Sequence, residues 1–222
     1  SVCKPDTIDL INNSAYGATS ANWTITPNTG VTFVNGTSAS SFNAQIVATQ
    51  VGLYDIKLVV SNANGMDSTE VIGALEVEAG LSLPLVEDFE DNSPCSTGGC
   101  NINCNSFDWT NVANGSGDDD DWRTDFGGTP SPGTGPSVDY APGTSSGNYM
   151  YIESSWCLNQ TAHLESPCIN LDNVSIPQIK FAYHRNGNVS LMNDLDVDIL
   201  SNGTWINLWT IAGVQGDVWE TV

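Results

Sequence analysis

The side chains best suited to chemistry in this 222-residue sequence are carboxylates, and the densest group is Asp118-Asp119-Asp120-Asp121. Four adjacent carboxylates repel one another unless water or a counter-ion screens them. Ca2+, which accepts roughly six to eight oxygen ligands from irregular loops, meets that need. The plainer reading is a solvated loop without an ion. Glu87, Asp88, Glu90 and Asp91 form a second acidic cluster, and neither cluster has the ligand spacing or closing Glu of an EF-hand. Asp194, Asp196 and Asp198 look like a metal-binding comb, but strand alternation turns Leu195, Val197 and Ile199 inward and leaves the aspartates on a wet face.

Patterns that would support catalysis fail on context. Gly143-Thr144-Ser145-Ser146-Gly147 spells G-x-S-x-G, yet that motif needs a strand-to-helix elbow, and here it precedes a strand. There is no H-E-x-x-H, and His163 and His184, the two histidines, read as structural on a β scaffold. A glycoside hydrolase would need two facing carboxylates, and Glu153 and Glu165 lie in expected strands without a partner geometry. Sugar binding needs only exposed aromatic and polar side chains. Of the tryptophans in the second part of the chain (Trp109, Trp122, Trp156, Trp205, Trp209 and Trp219), we expect Trp122, Trp205 and Trp209 to face the core. Trp156, in a loop beside Cys157, is the ligand-binding candidate. The expectation is a chain that is not itself an enzyme.

Composition narrows the partners. Five Lys+Arg against 26 Asp+Glu give a formal charge of -21, the opposite of a polyanion-binding surface, so nucleic acid and anionic membrane are poor partners. Divalent cations are plausible ones. No stretch approaches the roughly 18 apolar residues of a membrane span, and Ser1 starts without a basic and apolar leader, so the chain reads as processed or excised. Cys3, Cys95, Cys100, Cys104, Cys157 and Cys168 accompany only two histidines, which favours disulfides in an oxidising compartment over zinc. Six cysteines permit fifteen connectivities. The cluster Cys95/Cys100/Cys104 and the pair Cys157/Cys168 suggest bridges closing local loops, with Cys3 left over. Asn-x-Ser/Thr sequons start at Asn12, Asn22, Asn35, Asn114, Asn159, Asn173, Asn188 and Asn202, each a possible glycosylation site.

The elements that must position these groups are strands. Short apolar runs punctuated by Gly, Asn, Ser, Thr and Pro recur throughout without sustained helical periodicity, so the chain is expected to be all-β. Strands are predicted at residues 22–26, 31–34, 43–48, 52–61 and 69–79, then at 149–154, 179–184, 194–200 and 205–211. Tyr54, Ile56, Leu58 and Val60 form an apolar face, and Asn62-Ala63-Asn64-Gly65 supplies a turn in which Gly65 permits positive φ. Gly52-x-Tyr54-x-Ile56-x-Leu58-x-Val60-Ser61-Asn62-x-x-Gly65, with Trp23 and the Asn35-Gly36-Thr37-Ser38 turn before it, resembles the polycystic-kidney-disease (PKD) type of immunoglobulin-like sandwich. The resemblance covers residues 1–79 and implies a spacer or adhesive module.

Residues 80–84, with Gly80 and Pro84, form a short linker, and its shortness implies limited swing between domains. From residue 85 to 222 the matching residues are Asp88-Phe89-Glu90, Asp121-Trp122-Arg123, Thr134-Gly135-Pro136 with Asp139, and Gly147-Asn148-Tyr149-Met150-Tyr151-Ile152-Glu153. They continue with Ala162 to Pro167, Ile179 to His184 and Leu195-Asp196-Val197. In this order they resemble a MAM domain, a jelly-roll β-sandwich of adhesion receptors and secreted proteases. Because jelly rolls commonly fix a terminal strand with calcium, the resemblance implies a structural Ca2+ near Glu90, Asp91 and part of Asp118, Asp119, Asp120 and Asp121. MAM domains ordinarily continue past Gln215-Gly216-x-x-Trp219. The resemblance therefore implies a jelly roll lacking its last strands here, open to completion by a partner chain.

Together these readings give a non-catalytic binding or adhesion region of a secreted or cell-surface protein, contacting protein or glycan. The alternatives are an accessory targeting region of a secreted peptidase or glycanase, and a stalk or filament subunit completed by strand donation.

Overall fold

The computed structural model describes residues 2–3, 6–15, 17–104, 108–115, 117–157, 159–201 and 204–222. It is all-β, with no helix among the described residues. The chain divides into two compact units, one of Ser1–Ser82, Cys168–Asn170 and Leu200–Ile206, the other of Leu83–Pro167, Leu171–Ile199 and Asn207–Val222.

The first unit contains β1 (Val2–Cys3), β2 (Asp6–Leu10), β3 (Ser20–Thr26), β4 (Val31–Phe33), β5 (Ala44–Ala48), β6 (Gly52–Asn62) and β7 (Gly65–Glu78). One sheet runs β1-β7-β6-β3 and the other β2-β5-β4. Alternation decides the interior: β3 buries Ala21, Trp23 and Ile25, and β5 buries Ala44, Ile46 and Ala48. These join Leu10, Tyr54, Leu58, Leu75 and Val77 in one core, with Ile56 and Val60 packed against it, so the two sheets form a sandwich. The face expected of Tyr54, Ile56, Leu58 and Val60 is therefore the inner one. Trp23 donates its indole N–H to Ser41 O at 3.1 Å, which satisfies its polar edge inside the core.

β6 and β7 form a hairpin in which Asn62 pairs with Gly65, and Gly65 has φ 150°. β7 begins at Gly65, four residues before the predicted start at Thr69, because the hairpin ladder continues to its turn. Cys3 of β1 is bonded to Cys168, and Leu81 bridges Ile169 in parallel while its amide donates to Cys168 O at 2.6 Å. A Cβ on Gly80 (φ 74°) would lie 2.8 Å from Asn170 N, so this close approach needs glycine.

The second unit carries shorter strands: β8 (Thr110–Asn111), β9 (Arg123–Phe126), β10 (Asn148–Tyr151), β11 (Leu164–Glu165), β12 (Ala182–Arg185), β13 (Leu195–Ser201), β14 (Thr204–Ile211) and β15 (Gly216–Thr221). They pair as β9 with β10, β8 with β11, β12 with β15, and β13 with β14. Long loops hold the side chains of interest.

Candidate functional site

The acidic run leads into β9, and its carboxylates face backbone amides. Asp118 Oδ2 accepts from His163 N at 2.8 Å, and Asp119 Oδ2 from Thr161 N at 3.0 Å. Asp120 Oδ1 accepts from Ile102 N at 2.8 Å and Asp121 Oδ2 from Cys104 N at 2.5 Å. Arg123, wholly buried, holds both oxygens of Asp120 and also donates to Thr97 O and Gly99 O. The run therefore organises three loop segments, 97–104, 114–121 and 161–163. Burial, joined by repulsion from Asp118 and Asp120, raises the Asp121 pKa against the opposing pull of the Cys104 amide and Arg123.

Glu90 and Asp91 are both exposed. Glu90 Oε1 accepts from Asn148 N at 2.8 Å, an early-loop contact to β10. Among the described residues, no group of three or more His, Cys, Asp or Glu side chains is arranged to hold a metal ion.

Trp156 stands 89% exposed, the most solvent-accessible large hydrophobic side chain described. Its φ of 68° puts a bulky residue in the left-handed region, a conformation that must be imposed by its surroundings. The constraint is visible on both sides. Ser155 N donates to Glu153 Oε1 at 2.7 Å, Cys157 N closes a turn onto Ser154 O at 3.3 Å, and Cys157, only 3% exposed, is bonded to Cys100. An apolar ring is thus presented to solvent on a stapled turn. Glu153 lies past the end of β10 and not in a strand as predicted, because its carboxylate accepts from Tyr151 Oη and Ser155 N and turns the chain there.

Trp209 packs edge-on against Phe181 at 5.1 Å and in a tilted arrangement against Tyr183 at 5.2 Å, and half-buried Trp122 donates to Ala162 O at 3.0 Å. Trp205 corrects the expectation of a core residue: it is 51% exposed. It stands near the turn end of a two-stranded sheet, where alternation assigns a face but not a covering layer. Asp194, Asp196 and Asp198 are exposed, as alternation requires, and Asn207 Nδ2 donates to Asp198 at 2.8 Å.

His184 Nε2 lies 3.2 Å from Asp217. Its pKa is lowered by burial, with the Asp217 contact pulling the other way. His163 contributes its backbone to the Asp118 contact. The G-x-S-x-G segment is a turn running into β10, in which Thr144 N donates to Asp139 at 2.6 Å. A cleft in the first unit is lined by Trp23, Leu58, Val60, Met66 and Thr69, with Asp67 its sole ionisable side chain among the described residues.

The disulfides are Cys3–Cys168, Cys95–Cys104 and Cys100–Cys157. Cys3 is therefore not left over, and Cys157 and Cys168 do not bond to each other. Nearness in sequence misled because β pairing brings distant loops together. Of the sequons, Asn12 is buried, Asn22, Asn173 and Asn188 are exposed, and Asn202 lies outside the described residues.

A family model for the MAM domain, meprin/A5/mu, matches residues 88–222. The chain belongs to the MAM family. The MAM domain is an extracellular, adhesion-type module with a protein-interaction role, generally non-catalytic, and three disulfides accord with that setting. No solved structure matches the chain. No helix among the described residues is long and apolar enough to cross a membrane.

Sequence reasoning singled out Trp156 and the aspartate run but did not pick out Arg123, which binds Asp120 and the carbonyls of Thr97 and Gly99. The available signal was a basic residue three positions beyond Asp120 in a chain with only five Lys+Arg.

Proposed function

We propose that the chain is a non-catalytic binding region of a secreted or cell-surface multidomain protein, in which the MAM part contacts a protein partner through the Trp156 turn. The first unit serves as a PKD-type spacer.

The observation that carries this reading is the exposure of Trp156 on a turn stapled by Cys100–Cys157. Water gains nothing from an indole held in a strained conformation, whereas a partner pocket does. Burying such a ring is worth on the order of 4 kcal/mol, and pre-organisation lowers the ordering cost of binding. Tryptophans of this kind are typical centres of interaction hot spots. The charge of -21 selects partners with a basic rim, whose association slows as salt rises.

The test is binding of the chain to arrays of extracellular-matrix proteins and of glycans, compared with Trp156→Ala. The expected outcome is salt-sensitive binding to one or more proteins that weakens at least tenfold in the variant while its melting temperature holds. Binding confined to glycans would replace the protein partner with a carbohydrate. Retention of full affinity by Trp156→Ala would remove the Trp156 turn from the interface.

A further inference from the structure

The inner face of the β3-β6-β7 sheet changes character near the β6–β7 turn. Residues directly opposite one another on neighbouring antiparallel strands share a face. Leu58 is paired with Trp23 on one side and Thr69 on the other, and Val60 with Ala21 and Asp67. Trp23, Ala21 and Leu58 are buried and Val60 packs against the core, yet Thr69 and Asp67 are exposed. Farther along β7 the inward residues are Leu75 and Val77, both buried. A face that is apolar where the sandwich closes thus turns polar where it opens. Local breaks in patterning of this kind mark functional sites.

The break lines the cleft of the first unit, whose volume of about 710 Å3 falls within the roughly 300–1,000 Å3 of small-ligand sites. Trp23, Leu58 and Val60 give it an apolar strip, with Thr69 and Asp67 beside them. The segment between β2 and β3 contributes Asn13, Ser14 and Ala15, and the hairpin end contributes Asn64 and Met66. Asp67 Oδ1 accepts from Ser68 N and Asn62 Oδ1 from Asn64 N, both at 2.8 Å, so the polar rim is set before a ligand arrives. Asn13, Asn64 and Thr69 are exposed, and their side chains make no hydrogen bond among the described residues.

The lining selects a ligand by its chemistry. Without Lys, Arg or His among the described lining residues, an anion finds no counter-charge, and Asp67 alone offers a cation one carboxylate. A peptide added as a strand needs free backbone groups, whereas β3, β6 and β7 are already paired with one another along the floor. Amides and hydroxyls both donate and accept, which suits a ligand rich in hydroxyl groups. A sugar ring also has an apolar face, and that face matches the strip beside the polar rim. We propose that this cleft binds a neutral oligosaccharide, with one ring resting on Leu58 and Val60. Its hydroxyls donate to Asp67 and share hydrogen bonds with Thr69, Asn13 and Asn64. The first unit is then a glycan-binding module as well as a spacer, through a site that does not involve the Trp156 turn.

The experiment titrates the whole chain by calorimetry with neutral oligosaccharides of glucose, mannose, galactose and N-acetylglucosamine. A galacturonate oligomer and a lysine-containing peptide are titrated in parallel. Expected is saturable one-to-one binding of at least one neutral oligosaccharide, with an affinity that does not change as salt rises. Asp67→Ala should weaken it at least tenfold and Thr69→Val several-fold. Glu76→Gln should leave it unchanged, because exposed Glu76 lies on the other face of β7, between buried Leu75 and Val77. Should Asp67→Ala or Thr69→Val lower the melting temperature, Ala15→Trp, which fills the cleft from the loop side, must still abolish binding. Absence of binding by every neutral oligosaccharide would overturn the proposal. So would binding kept in both Asp67→Ala and Ala15→Trp, or binding confined to the galacturonate oligomer or the peptide.

Discussion

Arg123 donates through a single guanidinium nitrogen to both carboxylate oxygens of Asp120, at 2.8 and 3.0 Å, with its own side chain 0% exposed and that of Asp120 2% exposed. A pair so placed cannot be dismantled from one side cheaply. Arg123→Ala leaves a buried carboxylate without its counter-charge and is expected to cost about 3–5 kcal/mol. Urea unfolding monitored on the second unit measures it. Arg123→Met combined with Asp120→Asn should recover much of the loss, because the desolvated charge is then gone as well.

The bridges predict a peptide map. Digestion under non-reducing conditions should release linked peptides joining Cys3 to Cys168, Cys95 to Cys104, and Cys100 to Cys157. Mass spectrometry reads the pairing directly, and a Cys157–Cys168 peptide would contradict the structure. Replacing both Cys3 and Cys168 by Ser removes the longest covalent loop. By the chain-entropy relation it should lower stability by about 5 kcal/mol.

The conformation at Gly147 gives a sharper steric test. An added Cβ would lie 2.4 to 2.6 Å from the carboxylate atoms of Asp139, which is 1% exposed and cannot swing into solvent. Gly147→Ala should therefore destabilise by about 1–3 kcal/mol. Its melting curve, set beside that of Gly128→Ala, where the new methyl meets nothing within 4 Å, isolates the clash.

His184 sets a pH dependence of definite sign. Burial lowers its folded-state pKa below the ordinary value of about 6.5. The unfolded chain thus binds more protons in the window between the depressed value and about 6.5, and stability rises with pH across that window. Melting temperatures taken through it should climb towards neutral pH and then level. His184→Gln should flatten that part of the profile.

Much of the architecture is legible in the residues. Alternation at Tyr54, Ile56, Leu58 and Val60 marks the inner face of β6, and the same rule leaves Asp194, Asp196 and Asp198 outside. Strand edges were harder to read, because β1, β2, β8 and β11 are short and take their identity from partners far away in sequence. Trp156 could be picked out because it neighbours a cysteine in a loop, yet its left-handed backbone is invisible until Cys157 is placed against Cys100. The aspartates advertise a cation by composition alone. Which of them are already committed to amides, and which oxygens remain bare, depends on segments some 45 positions away, as with Asp118 and His163.

The bond between Cys3 and Cys168 spans 165 positions of sequence. In a chain that resists pulling, it acts as a mechanical bypass. Tension applied ahead of Cys3 and beyond Cys168 passes through one sulfur bridge and never loads the polypeptide between them. Unravelling of that enclosed stretch would contribute no length, withholding roughly 550 Å of extended chain at about 3.4 Å per residue. Only reduction of the bridge releases it, so the length that this enclosed stretch could yield under load depends on the redox state of its surroundings.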